Sequence, residues 1–352
     1  MATFNSRRRF CGQILAAAAG VAAPTFSARA QSKKIVYATW GGTWEKAIRG
    51  AWFDPFTKKT GIEVVAIGGN TYGKFKAMVD SGRVEWDVVE VNPDFQWIGQ
   101  KDNLLEKLDF QVIDTSKIMD GQHLITPYSV PQVLWSRVRF YNTNAFKGDN
   151  HPKSWADVWD VKRFPGKRTF ASKANSGTLE VALIADGVPM DKLYPLDVDR
   201  ALKSLAKIKG DIIWGDTNAQ LEQFMKDGQA VTGLVPDGRA LAAVDNGAPI
   251  VIDYSQSMMT WSTMVIPRGA PNRDGAMQFL KYAMTPEAQA AVALAYTYGP
   301  VTPDAYKMIP MDRAKILSGG PQQNGKYFLA DEKWWGDNLA TANDKLNAWR
   351  MA

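Results

Sequence analysis

From residue 35 onward, short apolar runs alternate with amphipathic stretches, and this alternation constrains the fold most strongly. Residues 35–38, 62–67 and 87–91 read as strands. Between the first two, Trp44, Ala47, Ile48, Ala51 and Trp52 share one face at helical spacing. Thr43 is placed to cap that helix, and Gly61 ends the unit. Tyr72, Phe75, Met78 and Val79 form the next helical stripe. Strand–helix–strand–helix–strand is the pattern of a parallel sheet with helices on its faces. The theme returns with a strand at 168–171, a polar turn at 172–177, and helices at 178–186 and 197–208. Ile212 and Ile213 read as a strand and 219–226 as a helix. A strand over 230–235 then runs into Pro236, Asp237 and Gly238, before a helix over 239–244. Residues 274–284 are helical, and Thr285-Pro286-Glu287 has the residues that open a helix: an N-cap, Pro in the first turn and an early acid.

The first thirty residues read differently. Ser6-Arg7-Arg8-Arg9-Phe10 is a twin-arginine pattern, an apolar Ala-rich run covers 14–26, and Ala28-Arg29-Ala30 offers a small-x-small exit. A signal peptide over 1–30, cleaved after Ala30, is expected, by either the twin-arginine or the general secretory route. The run is too short for a spanning helix. Removing it changes the charge. Of 42 Lys+Arg against 36 Asp+Glu, four arginines and no acid fall in this segment, which leaves a net of +2. Nucleic-acid binding, which needs a concentrated basic surface, is therefore not expected. Cys11 also falls there, so the mature chain has no disulfide, thiol nucleophile or cysteine metal site. A mature chain of roughly 320 residues buries its own core and suggests two domains.

The order of short motifs carries a family resemblance. Tyr37-Ala38-Thr39-Trp40, then 56–64 (FTKKTGIEV), then Trp86-Asp87-Val88-Val89 come first. Pro131 through Tyr141-Asn142 and Ser154-Trp155-Ala156-Asp157-Val158-Trp159 follow, and Trp261 to Pro267 and 276–287 close the series. The chain resembles the periplasmic solute-binding components of ABC importers, in the branch that includes spermidine/putrescine-binding proteins. The resemblance implies an α/β fold of two lobes, the type II periplasmic binding protein arrangement, with hinged closure on ligand. It implies a first crossing near 136–141 and a return near 254–261. Lobe one is then 32–136 plus 260–352, and lobe two 137–259. It also implies a periplasmic monomer that hands its solute to a membrane permease, with no cofactor.

In open α/β sheets ligands bind where strand ends lead into helix N-termini. That rule selects Trp40, Gly41, Gly42 and Thr43, then Asn70 and Thr71, then Asn92 and Asp94. The second half contributes Asn175, Ser176 and Asp237, with Trp261 and Thr263 at the return crossing and Tyr298 after a late helix. Gly41 and Gly42 serve either a tight turn or an exposed run of N–H donors. Asp237 either caps its helix or reaches the ligand. The faces of Trp40 and Trp261 suit an alkylammonium group or a planar ligand. Polyamine-binding relatives surround their cations with acids, yet here the corresponding loop is Ser172 to Thr178, and Thr263 stands where an acid follows the crossing Trp. A small amine-containing or zwitterionic solute is expected, with a polyamine, a ferric ion or a thiamine-like molecule as alternatives. With His123 and His151 the only histidines and no mature Cys, an enzyme on the same scaffold is disfavoured.

Overall fold

The computed structural model describes residues 34–352 apart from 120, 324 and 325. The export-signal reading falls on residues outside this set. Strand β1 (Lys34–Ala38) begins the described chain. A near-continuous helical run follows: α1 (Gly42–Ile48), a π-helical turn (Arg49–Phe53) and α2 (Asp54–Thr60). The π turn places Ala51, Trp52 and Phe53 inside together, and the Trp52 indole N–H donates to the Ala288 carbonyl at 2.8 Å. Gly61 closes α2 in the left-handed conformation (φ 74°). Strands β2 (Glu63–Ile67) and β3 (Val88–Val91) flank β1 in parallel, with α3 (Tyr72–Asp80) between them in sequence.

These strands are packed on both faces, as parallel sheets require. Ile35, Tyr37, Val64 and Val88 meet Trp52, Phe53, Phe56 and Phe279 on one side. Ala38, Val89 and Val91 meet Phe75, Met78, Trp86 and Phe95 on the other. Helices α4 (Pro93–Lys101) and α5 (Gly121–Leu124) lead to the first of two unusually long strands.

Those strands are β4 (Ser129–Asn142) and β8 (Ile250–Val265), which run antiparallel to each other. Between them lie α6 (Trp155–Trp159), β5 (Arg168–Ala171), α7 (Thr178–Ala185), α8 (Val198–Ala206), β6 (Ile212–Gly215), α9 (Asn218–Lys226), β7 (Thr232–Pro236) and α10 (Asp237–Asp245). After β8 come α11 (Arg273–Ala283), α12 (Pro286–Ala295), α13 (Pro303–Tyr306), α14 (Met311–Ala314), β9 (Tyr327–Leu329) and the twenty-residue α15 (Glu332–Met351). The sheet order is β2-β1-β3-β8-β4-β7-β5-β6, with β9 beside β8.

The long strands connect two strand sets. Val265, Met264 and Thr263 of β8 pair with β3, while residues 137–141 of β4 pair with β7. The β4–β8 register shifts between Arg137 and Arg139, and Gln256 opposite this point has a left-handed φ of 56°. This irregularity lies within the segments 136–141 and 254–261. A second shift spans Pro131 to Val133, where Pro has no N–H to give the ladder.

The second set has its own two-sided core. Phe170, Leu179, Leu183, Leu205 and Leu234 pack with Trp155 on one side. Val138, Phe140, Leu221, Met225 and Val235 pack on the other. Phe328, Trp335 and Leu346, near the C-terminus, join the first of these clusters rather than the cores around β1–β3. Among the described residues, no helix is long and apolar enough to cross a membrane.

Candidate functional site

The loop after β1 is organised by a buried acid in β3. Glu90 is fully buried. Its Oε2 accepts the Trp40 backbone N–H at 2.8 Å. Its Oε1 accepts the Trp44 indole N–H at 2.8 Å, the Gln132 amide at 2.6 Å and the Tyr37 hydroxyl at 3.1 Å. Burial raises its pKa, and these donors pull it back. Gly41 and Gly42 both have positive φ (77° and 67°), where a side chain would be strained. The helix opens at Gly42 with Gly41 as its N-cap, so Thr43 lies inside the first turn and is not the cap expected from sequence. The reason is local: the positive φ of Gly41 and Gly42 starts the helix two residues earlier, and the Thr39 hydroxyl accepts the Gly41 N–H. The Trp40 side chain projects outward, 44% exposed.

The next two strand ends are held by their own polar groups. Asn70 donates to the Glu90 carbonyl at 2.8 Å. Thr71 caps α3 by accepting the Lys74 N–H. The Asn92 N–H donates to the Tyr72 hydroxyl at 3.1 Å, and Pro93 opens α4. Asp94, one residue on, differs. It is only 4% exposed, and its Oδ1 has no hydrogen-bond partner. Its Oδ2 lies 3.4 Å from the Asn175 amide, in the loop after β5, so the ends of the two strand sets meet here. Burial raises the Asp94 pKa; the Phe95 and Asp94 backbone N–H groups and, after them, the charge of Lys173 oppose that shift.

Around Asn175 the chain is tight. Ser176 is buried, and Gly177 takes a left-handed φ of 79° close to Leu234 and Met258. Glu180, in the first turn of α7, is fully buried. Its Oε1 accepts from the Tyr194 hydroxyl (2.7 Å) and the Trp335 indole (3.0 Å), while Oε2 has no partner. Glu332, which opens α15, accepts from the Thr260 hydroxyl at 3.0 Å. Burial drives its pKa well up, and the charges of Asp94 and Glu180 add to the effect.

Asp237 neither caps α10, whose N-cap is Pro236, nor stands free for a ligand. It is fully buried. Oδ2 accepts the Ser136 N–H (3.1 Å) and the Ser318 hydroxyl (2.6 Å), and Oδ1 accepts the Gly238 N–H (2.7 Å). Burial still pushes its pKa up to about 6. It thus ties the middle of β4 to the segment after α14. Trp261 and Thr263 are buried on β8, with the indole N–H and the hydroxyl lacking partners. Tyr298 packs against Trp44 (5.3 Å between centroids) and Tyr296 (4.8 Å), near Gly238.

Sequence reasoning missed three acidic or basic groups that shape this region: Glu90, Glu332 and Arg137. Arg137 lies in β4, is 8% exposed, and has no hydrogen-bond partner at Nε or Nη1. Its guanidinium lies 5.5 Å from the Trp135 ring centroid. The signal was present: Arg137 and Arg139 are the two charges in an otherwise uncharged strand, where an unpaired charge is costly. Arg139 meets part of that cost through Nη2, which donates to Asp253 at 2.5 Å, Ser255 at 3.0 Å and the Lys153 carbonyl at 2.7 Å; its Nε and Nη1 lack partners as those of Arg137 do, but Arg139 has a paired carboxylate and Arg137 has none. Among the described residues, no group of three or more His, Cys, Asp or Glu is placed to hold a metal ion.

Comparison with known proteins decides the class. Residues 51–318 match the family model described as bacterial extracellular solute-binding protein. The chain belongs to this family. Its members are solute-binding receptors and not enzymes. The chain is 33% identical over 330 residues to the gamma-aminobutyric acid-binding protein of Pseudomonas aeruginosa strain PAO1, covering 92% of each. It is 26% identical over 312 residues to spermidine/putrescine-binding periplasmic protein 1 of Haemophilus influenzae, covering 85% of this chain and 84% of that one. A solved structure of a GABA receptor superposes with a TM-score of 0.82 at 39% identity, covering 90% of this chain and 97% of the other. The α/β architecture is accordingly the two-lobe type of the periplasmic binding proteins.

Proposed function

We propose that this receptor captures a small zwitterionic amine, of the size and polarity of 4-aminobutyrate, between two lobes hinged on β4 and β8, and delivers it to the permease of an ABC importer. The observation that carries this reading is Asp94. It is a buried carboxylate with one unpartnered oxygen, positioned where the loop bearing Asn175 reaches it from the other strand set. An ammonium group is the natural complement to such an acid, because an unpaired buried charge is expensive. Lys173 and Arg137 offset the acids nearby, and burial moves Asp237 and Glu332 toward their neutral forms. The balance suits a ligand with one cationic and one anionic end better than a diamine. The similarity to proteins named for GABA supports the same size class.

A polyamine is the second reading, favoured by the proximity of Asp94, Glu180 and Glu332 and by the relative named for spermidine and putrescine. In both readings the lobes comprise residues 32–136 with most of 260–352, and 137–259. Helix α15 packs on both sets, through Trp335 and Leu346 against the Trp155 core and through Gly336 against Trp97 of α4. Trp40, Gly41, Gly42, Asn175, Ser176, Trp261, Thr263 and Tyr298 border the cleft in this proposal. The working form in this proposal is a periplasmic monomer, exported by its signal through the twin-arginine or the general secretory route and cleaved after Ala30. Thermal-shift screening of residues 31–352 against amino acids, ω-amino acids, diamines and thiamine tests this proposal. A bound ligand stabilises the folded state alone, by about 3 kcal/mol at a hundredfold excess over Kd. The ω-amino acids should give the largest shift; a larger shift with putrescine would favour the second reading.

A further inference from the structure

Arg137 is built into the hinge but is not consumed by it. It sits where β4 changes partners, opposite Met258 of β8 and Pro236 of β7, at the bulge between Arg137 and Arg139. Glu180 and Asp237 lie close enough to favour its charge, yet the oxygens of Asp237 are occupied by Ser136, Ser318 and Gly238. Glu180 directs Oε1 to Tyr194 and Trp335, and its Oε2 is unpartnered. The guanidinium is therefore held against the Trp135 ring, buried, with Nε and Nη1 unfilled. A planar guanidinium with free donors in a dry setting is matched by a carboxylate, which accepts in the same plane. Electrostatic neighbours run from Arg137 to Glu180, from Glu180 to Glu332, and from Glu332 to Asp94. One end of this series is a cation and the other an acid with a free oxygen.

We propose that Arg137 reads the acidic end of the ligand, so that the receptor takes solutes bearing a carboxylate and rejects diamines. This rests on the receptor reading above and adds the residue that sets its selectivity.

The test compares 4-aminobutyrate, its neutral amide 4-aminobutanamide, butyrate and putrescine by calorimetry on the parent, R137K and R137Q. Thermal melts and far-UV circular dichroism confirm that each variant is folded. The parent should prefer the acid to its amide by about 100-fold, and R137Q should compress that ratio to about fivefold or less. R137K, which keeps the charge but loses the planar fork, should fall between them. A folded R137Q that retains the parent's acid-to-amide ratio overturns the assignment, since a purely structural arginine would weaken both ligands alike, and leaves the zwitterion reading intact. A parent that binds butyrate as well as 4-aminobutyrate, with both lost in R137Q, supports Arg137 while removing the need for an amine. A parent that binds putrescine and none of the carboxylates overturns both.

Discussion

Two buried acids show how single residues shape this receptor. Glu90 satisfies four donors, from Tyr37, Trp40, Trp44 and Gln132, so that one carboxylate fixes the first strand end, the first helix and β4. Replacing it by Leu leaves the Tyr37, Trp40 and Trp44 donors without an acceptor, while the Gln132 amide keeps only the Tyr37 hydroxyl at 2.7 Å. Glu90→Leu should cost about 3 kcal/mol, read from urea denaturation. Asp237 gives a pH-dependent outcome. Burial raises its carboxyl from 3.8 to about 6 in the folded chain, against the donors from Ser136, Ser318 and Gly238. The folded state therefore holds this proton more tightly than the unfolded state. Stability from this group is full below pH 4 and is lost as pH rises through about 6. Asp237→Asn removes the titration. The melting temperature of the parent relative to this variant should fall between pH 4 and pH 6 and then level off. A difference that stays constant across that range would show that Asp237 does not titrate there. Arg137, Tyr254, Tyr298 and Tyr306 are its charged or titratable neighbours, and burial keeps the three tyrosines neutral throughout.

At the scale of elements, local patterns in the sequence located most of the parallel strands and the helices between them. Period-2 and period-3.6 patterns are set by nearby residues, so β1, β2, β3, β5 and the helices at 72, 178, 198 and 286 are legible. The Thr285 cap is one such case, with its hydroxyl accepting the Ala288 N–H. The lengths of β4 and β8 are less legible, because a long strand beside polar loops has no short-range signal. Strand β9 and α15 are fixed only by distant partners: β8 for the first, α4 and the Trp155 core for the second. Glu90 and Glu332 are invisible for a related reason. Their roles depend on contacts or charges from residues far away in sequence. Two substitutions probe such long-range fits. A Cβ on Gly299 would lie 1.8 Å from the Ser318 carbonyl oxygen, so Gly299→Ala must displace the segment that bonds Asp237. It should lower stability by about 2 kcal/mol or more, measured by thermal denaturation. Trp335→Ala empties a fully packed position against α7 and removes a donor to Glu180, and should cost about 3–5 kcal/mol.

At the scale of the whole molecule, two strands carry the chain between two strand sets, and each set has a core on both faces. This architecture supports hinge motion: the β4–β8 ladder is irregular at Arg137–Arg139, while the cores on either side are dense. Closure on ligand should reduce the radius of gyration in X-ray scattering, and an unchanged radius with bound ligand would argue for a preclosed cleft. Under the proposed function, this cleft selects a zwitterion over a dication of the same length. Calorimetric titration of residues 31–352 with 4-aminobutyrate and with putrescine, at neutral pH and matched ionic strength, measures this directly. Micromolar or tighter binding of the amino acid and no measurable heat with the diamine are expected. Tighter binding of putrescine would contradict that selectivity.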